Sequence, residues 1–105
     1  MTTQSFIESL PLKVNKSAIE GQETNFHFDI SGEDGGQYTV EIKDGEVQVQ
    51  EGLHGSAKCV ISGKGENFIK VITGKLNPTM AVMTGKVKVS NLGEMMKFGK
   101  IFGVM

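Results

Sequence analysis

Residues 66–90 read ENFIKVITGKLNPTMAVMTGKVKVS, and the period of this stretch decides the fold. Phe68, Ile69, Val71 and Ile72 recur at helical spacing, which predicts a helix from about Glu66 to Thr73, closed by Gly74. Asn77 before Pro78 signals a second helix: the Asn side chain accepts a free backbone N–H, and a first-turn proline has none to lose. That helix runs through Met83 and is closed by Gly85. From Lys86 to Ser90 the period falls to two, because Val87 and Val89 alternate with lysines, and a strand is predicted.

Upstream, the same two-residue alternation occurs four times. Phe26, Phe28 and Ile30 alternate with Asn25, His27 and Asp29; Tyr38, Val40 and Ile42 alternate with Thr39 and Glu41. Val47 and Val49 alternate with Glu46, Gln48 and Gln50; Ala57, Cys59 and Ile61 alternate with Lys58, Val60 and Ser62. One apolar and one polar face per strand predicts half-buried antiparallel pairing. Turn chemistry separates the strands: Gly32-Glu33-Asp34-Gly35-Gly36, then Asp44-Gly45, then Gly52 to Gly55. Lys43-Asp44-Gly45-Glu46 is the strongest hairpin signal in the chain.

At the N-terminal end, Phe6, Ile7 and Leu10 form one stripe of a short helix from Thr3 to Leu12, capped by Thr2 or Thr3 and ended by Pro11. Asn15 to Gln22 reads as a loop or a single turn. At the other end, Asn91 caps a helix in which Leu92, Met95, Met96, Gly99 and Phe102 share a face that Phe98, Ile101 and Met105 widen. The fold class is therefore α+β. A five-stranded, mostly antiparallel sheet is covered on one face by helices, in the order α-ββββ-αα-β-α, as one domain over residues 1–105.

Composition narrows the function. The formal charge of −1 divides unevenly: residues 1–52 hold ten acidic side chains against three lysines, and residues 53–105 eight lysines against two acids. Every basic residue is lysine, and the absence of arginine argues against a nucleic-acid reader. No run approaches the ~18 apolar residues of a spanning helix, and no signal peptide is visible. A lone Cys59 forbids an internal disulfide and fits a reducing cytoplasm.

Catalytic constellations are poor. His27 lies on a polar strand face and His54 in a glycine-flanked loop, and both are expected to be solvated. Cys59 points inward and is expected to be a buried, inert thiol. Asp29 and Glu41 face outward on neighbouring strands, where nothing would hold one of them protonated. No metal-ligand spacing is present. Gly-Lys recurs at Gly63-Lys64, Gly74-Lys75, Gly85-Lys86 and Gly99-Lys100, but no such lysine precedes Ser or Thr as a phosphate loop requires. Helix closures with adjacent cations are the expected explanation. Met80, Met83, Met95 and Met96 concentrate near the C-terminus, where flexible thioethers conform to irregular apolar shapes. The last helix contains Gly99 and Gly103, each costing ~1 kcal/mol against alanine, which suits a mobile cover. Its lysines at 97 and 100 make it basic and amphipathic.

These residues resemble the sterol carrier protein type 2 domain family. The likeness rests on Phe68-Ile69, Thr73-Gly74-Lys75-Leu76-Asn77-Pro78, Met80-Ala81-Val82-Met83 and Thr84-Gly85-Lys86-Val87-Lys88-Val89. The Phe26–Ile30 strand, Tyr38 and the Asp44-Gly45 hairpin extend it to about residues 24–102. The resemblance implies a non-enzymatic intracellular carrier holding a fatty acyl chain, acyl-CoA or sterol-like lipid in an apolar tunnel between sheet and C-terminal helices. By position, the lining would be Phe68, Ile72, Met80, Met83, Val87, Val89, Leu92, Met95, Met96 and Phe102. Lys97 and Lys100 would touch an anionic membrane surface transiently. No cofactor, metal or nucleic acid is implied. The tunnel would hold lipid, or be collapsed and plugged by its methionines. The chain ends without a Ser-Lys-Leu-type peroxisomal signal, and a cytoplasmic location is expected. The competing reading is an accessory or dimerisation module supporting a lipid-metabolising enzyme, with a homodimer joined through the acidic and basic halves.

Overall fold

The computed structural model describes residues 2–33 and 35–103. Asp34 of the first expected turn and Met105 of the last apolar face lie outside the described residues.

The hairpin forms where the sequence placed it. Asp44 and Gly45 both take positive φ, 54° and 73°, as a two-residue turn matched to strand twist requires. It joins β2 (Gly36–Lys43) to β3 (Glu46–Glu51) with Lys43 opposite Glu46. β1 (Thr24–Ser31) pairs antiparallel with β2, Phe26 opposite Val40 and Phe28 opposite Tyr38. β4 (Cys59–Lys64) lies on the other side of β1, and β5 (Val87–Val89) pairs antiparallel with β4, giving the order β3-β2-β1-β4-β5.

The sheet is mixed: β1 and β4 run parallel, with Phe26 opposite Cys59 and Phe28 opposite Ile61. The path of residues 52–58 explains this. Gly52 N–H donates to the Gln37 carbonyl, level with the far end of β1, and Lys58 N–H donates to the Asn25 carbonyl at its start. The segment descends diagonally across the polar face and leaves pointing along β1. Side chains below tie it down. Thr39 Oγ1 donates to the Gly52 carbonyl (2.8 Å) and accepts from His54 N–H (2.9 Å). His27 Nε2 lies 2.9 Å from the His54 carbonyl, an acceptor that calls for an N–H there. His27 is consequently buried, at 8% exposure, and not solvated as its strand position suggested.

The opposite face carries Phe26, Phe28, Ile30, Tyr38, Val40, Ile42, Cys59, Ile61 and Val87, all buried, beneath the helices. α1 (Thr3–Lys13) starts at Thr2, whose hydroxyl accepts from Ser5 N–H in a capping box. Pro11 sits inside its last turn, and the helix ends two residues later than the proline suggested, at an extended Val14. α2 (Lys16–Ile19) is the single turn that buries Ile19. α3 (Gly65–Ile72), α4 (Pro78–Met83) and α5 (Leu92–Phe102) complete the cover. Phe6, Phe26, Phe28, Phe68, Phe98 and Phe102 form one connected cluster of ring contacts that ties α1, α3 and α5 to β1. The strand order also separates the charge halves. The acidic half supplies β1, β2 and β3 on one side, and the lysine-rich half supplies β4 and β5 on the other.

Candidate functional site

α3 and α4 end alike, and their ends shape the site. Thr73 Oγ1 donates to the Ile69 carbonyl (2.7 Å), and Thr84 Oγ1 to the Met80 carbonyl (2.7 Å). Gly74 and Gly85 follow with φ of 80° and 75°, the left-handed conformation that stops a helix. Two of the four Gly-Lys pairs are thus helix closures. Gly63-Lys64 instead ends β4, and Gly99-Lys100 lies within α5. Between the closures, Asn77 Oδ1 accepts from Thr79 N–H (2.8 Å) and Met80 N–H (3.3 Å), which fixes the start of α4 with Pro78 in its first turn.

This geometry borders a partly open apolar cavity of about 40 Å³. Phe28 and Ile61 come from the central strands and Val87 from β5; α3 gives Phe68, Val71 and Ile72, α4 gives Pro78, and α5 gives Met95 and Phe98. Ring contacts run through it: Phe28 to Phe68 at 5.8 Å between centroids, and Phe28 to Phe98 at 5.4 Å. Behind Phe98 stand Phe26 at 5.0 Å and Phe102 at 4.6 Å, neither of which lines the cavity.

Four of the residues expected to line a tunnel meet here: Phe68, Ile72, Val87 and Met95. Val89 is half-buried one position pair further along β5, and Phe102 is buried behind Phe98. Met80, Met83, Leu92 and Met96 are on the surface, at 52%, 75%, 48% and 42% exposure. α4 has only six residues and buries Ala81 alone, so its methionines point away from the sheet. Of the methionines expected in the lining, Met95 alone reaches the space between sheet and helices, where it lies beside aromatic rings. The lining residues not singled out for it in the sequence were Phe28, Ile61, Val71, Pro78 and Phe98. Strand alternation placed the first two on the correct face, but no local signal told which part of that face bordered a void.

The polar groups nearby hold α5. Glu94 accepts from Thr24 Oγ1 (2.8 Å) and pairs with Lys97 Nζ (3.2 Å). The Thr24 hydrogen bond, and then the Lys97 ammonium, hold the Glu94 carboxyl below its ordinary range against the opposing effect of burial. Lys97 is therefore engaged within its own helix, and Lys100 is exposed. Cys59 is fully buried, its thiol donates to the Asn91 carbonyl at 3.5 Å, and burial pushes its pKa up, as suits an unreactive thiol. Asp29 and Glu41 do not oppose one another: Asp29 sits across from Gln37 and Glu41 across from Asn25. His54 is exposed. On the outer surface a groove is lined by Lys64, Lys70, Lys86 and Lys88, with Asp29 and Glu66.

The fold, the twin helix closures around an Asn-Pro start and the apolar cavity agree with a family match over residues 6–103, described as the SCP-2 sterol transfer family. The chain belongs to that family. Among its sequence relatives, hydroxysteroid dehydrogenase-like protein 2 of Xenopus tropicalis is 39% identical over 101 residues, 94% of this chain and 24% of the relative. Sterol carrier protein 2 of Arabidopsis thaliana is 39% identical over 62 residues, 58% of this chain and 50% of that protein. The chain thus spans about a quarter of the length of the first dehydrogenase-like relatives it matches. Among solved structures, palmitated SCP2L2 from Aedes aegypti superposes with a TM-score of 0.72 at 20% identity, covering 97% of this chain and 95% of that one. The sec-alkylsulfatase Pisa1 from Pseudomonas sp. superposes with a TM-score of 0.78 at 17% identity, covering 100% of this chain and 16% of that one. At these identities the structures establish the SCP-2 fold. Among the described residues, no helix is long and apolar enough to cross a membrane.

Proposed function

We propose that this SCP-2 domain is a non-enzymatic lipid carrier that takes a fatty acyl chain, acyl-CoA or sterol-like lipid between its sheet and its C-terminal helices. The observation that carries this reading is the apolar cavity, lined by nine residues without a charged or amide side chain among them. At about 40 Å³ it is the seed of a site and not the whole of one, since pockets for small molecules run to ~300 Å³ or more. A lipid tunnel would form by widening it on the helical side. Each methylene buried contributes about 0.8 kcal/mol, so a chain repays the separation of a loosely packed cover. Met80, Met83, Leu92 and Met96, at the surface near that cover, would join the lining as the tunnel opens, or meet a membrane beside Lys97 and Lys100 during transfer. A lone, buried thiol suits work in the reducing cytoplasm.

Native mass spectrometry of the purified chain, with displacement of a fluorescent fatty acid, tests the reading. Bound lipid or saturable displacement is expected. Finding neither would remove the carrier hypothesis.

A second reading has its own support. The chain matches only 24% of a dehydrogenase-like relative and 16% of an alkylsulfatase chain. Such a domain can serve as an accessory or dimerisation module beside a lipid-metabolising enzyme. A salt-sensitive homodimer in sedimentation, without lipid uptake, would favour it.

A further inference from the structure

We propose that Phe98 sets how long an acyl chain the cavity accepts. This rests on the lipid-carrier reading and adds a determinant of ligand size to it. Phe98 is the cavity-lining residue with the most aromatic neighbours. Its ring contacts Phe28, which lines the cavity, and also Phe26 and Phe102, which do not. It therefore stands as a partition. On one side lie the cavity and its wall of Val71, Ile72, Pro78 and Val87; on the other lies further apolar space filled by rings. Phe28 and Phe26 are successive inward residues of β1, about 7 Å apart along the strand, so a chain that displaced the Phe98 ring and the packing behind it would gain about that length.

The wall opposite Phe98 is stiff. Phe28 and Ile61 face each other across the β1–β4 ladder, and Val87 is held by β4. α5 is held differently. Among the described residues, its polar ties to other elements are at its ends. Thr24 bonds to Glu94, Cys59 to the Asn91 carbonyl, and the Ile101 carbonyl accepts from Asn15 N–H. Between those ties, Met95 and Phe98 rest on apolar contacts alone. The Phe98 ring makes no hydrogen bond that its displacement would break; what holds it is packing on Phe26, Phe28 and Phe102. A chain lying in the cavity between Ile72 and Val87 abuts the Phe98 ring. It stops there, or it displaces the ring to reach Phe26.

The test is a chain-length series. Binding of saturated fatty acids from octanoate to stearate is measured by calorimetry for the natural chain, Phe98→Ala, Phe98→Leu and, as an apolar surface control on α1, Leu12→Ala at a residue 91% exposed. In the natural chain each added methylene should tighten binding about fourfold until the chain reaches Phe98, after which the gain flattens. Phe98→Ala should move that plateau to longer chains by several methylenes, Phe98→Leu by fewer, and Leu12→Ala not at all. If Phe98→Ala does not fold, the Leu variant carries the comparison. An unchanged plateau with intact binding overturns the role of Phe98 and leaves the carrier reading standing. No binding of any chain by any of the proteins overturns the carrier reading, and this inference with it.

Discussion

α1 and the C-terminal helices cover the same sheet face, but they pack on it differently. Under α1, Phe6, Ile7 and Leu10 are at most 1% exposed, and Val40 and Ile42 beneath are fully buried. Under α3, α4 and α5, Phe68, Val87, Met95 and Phe98 retain 4–7% exposure, and the apolar cavity lies among them. The chemistry of the two regions is similar; the packing is not. The β2–β3 side is sealed, and the β4–β5 side holds the void, which is where the proposed opening would begin. Regions that must open are drawn from the less tightly packed part of a fold.

The largest test of that contrast pairs one substitution from each side. Leu10→Ala removes a fully buried side chain from the sealed region and should cost about 2–5 kcal/mol in urea unfolding. Ile72→Ala, half-buried beside an existing void, should cost about 1–2 kcal/mol. Equal losses would erase the distinction between the sealed side and the side that holds the void.

A smaller effect concerns the latch of α5. The Glu94 carboxyl is held below its ordinary range by Thr24 and Lys97, so the folded state favours its ionised form. That contribution is fully present above the ordinary carboxylate pKa of ~4.3 and is lost as pH falls through the lower folded value. Glu94→Gln should therefore be less stable than the natural chain by about 1 kcal/mol at neutral pH. The gap should close as the solution is acidified into that window. Unfolding curves for both proteins across the acid range check the sign, and a gap that widens toward low pH would contradict the latch.

The smallest effect belongs to the exposed edge of the side that holds the void. Met83→Gln, at a residue 75% exposed, should change stability by no more than about 0.5 kcal/mol. It should nonetheless weaken sedimentation with anionic vesicles if α4 meets membranes during transfer. A large loss of stability would mean that Met83 is packed more tightly than its exposure indicates.

Much of the fold was legible because its signals are local. Asp44-Gly45 fixed a hairpin, Asn77-Pro78 a helix start, and two-residue alternation the inward faces of all five strands. What escaped is non-local. Periodicity gives a strand its faces but not its direction, so the parallel pairing of β1 with β4 required the diagonal path of residues 52–58. The burial of His27 depends on that same crossing. In the site, the family likeness named Phe68, Ile72, Val87 and Met95 among ten lining residues, and these four border the cavity. The family likeness carries Met80 and Met83 of α4 into the lining, but a six-residue helix has room to bury only one side of itself, and that side holds Ala81. Phe98 was assigned to the widened face of the last helix, and nothing in its neighbours marked it as the ring between two apolar spaces.

The brevity of β5 has a consequence for solubility. An open sheet has two rims, and a rim with free N–H and C=O groups invites strands from other molecules. Here the β5 rim is three residues long and carries Lys86 and Lys88 at and beside it. The β3 rim is lined by Glu46, Gln48, Gln50 and Glu51. One border is too short to template a cross-molecular ladder, and the other is dressed in polar and acidic groups. The sheet is thereby guarded against stacking rim to rim with its neighbours in a crowded solution.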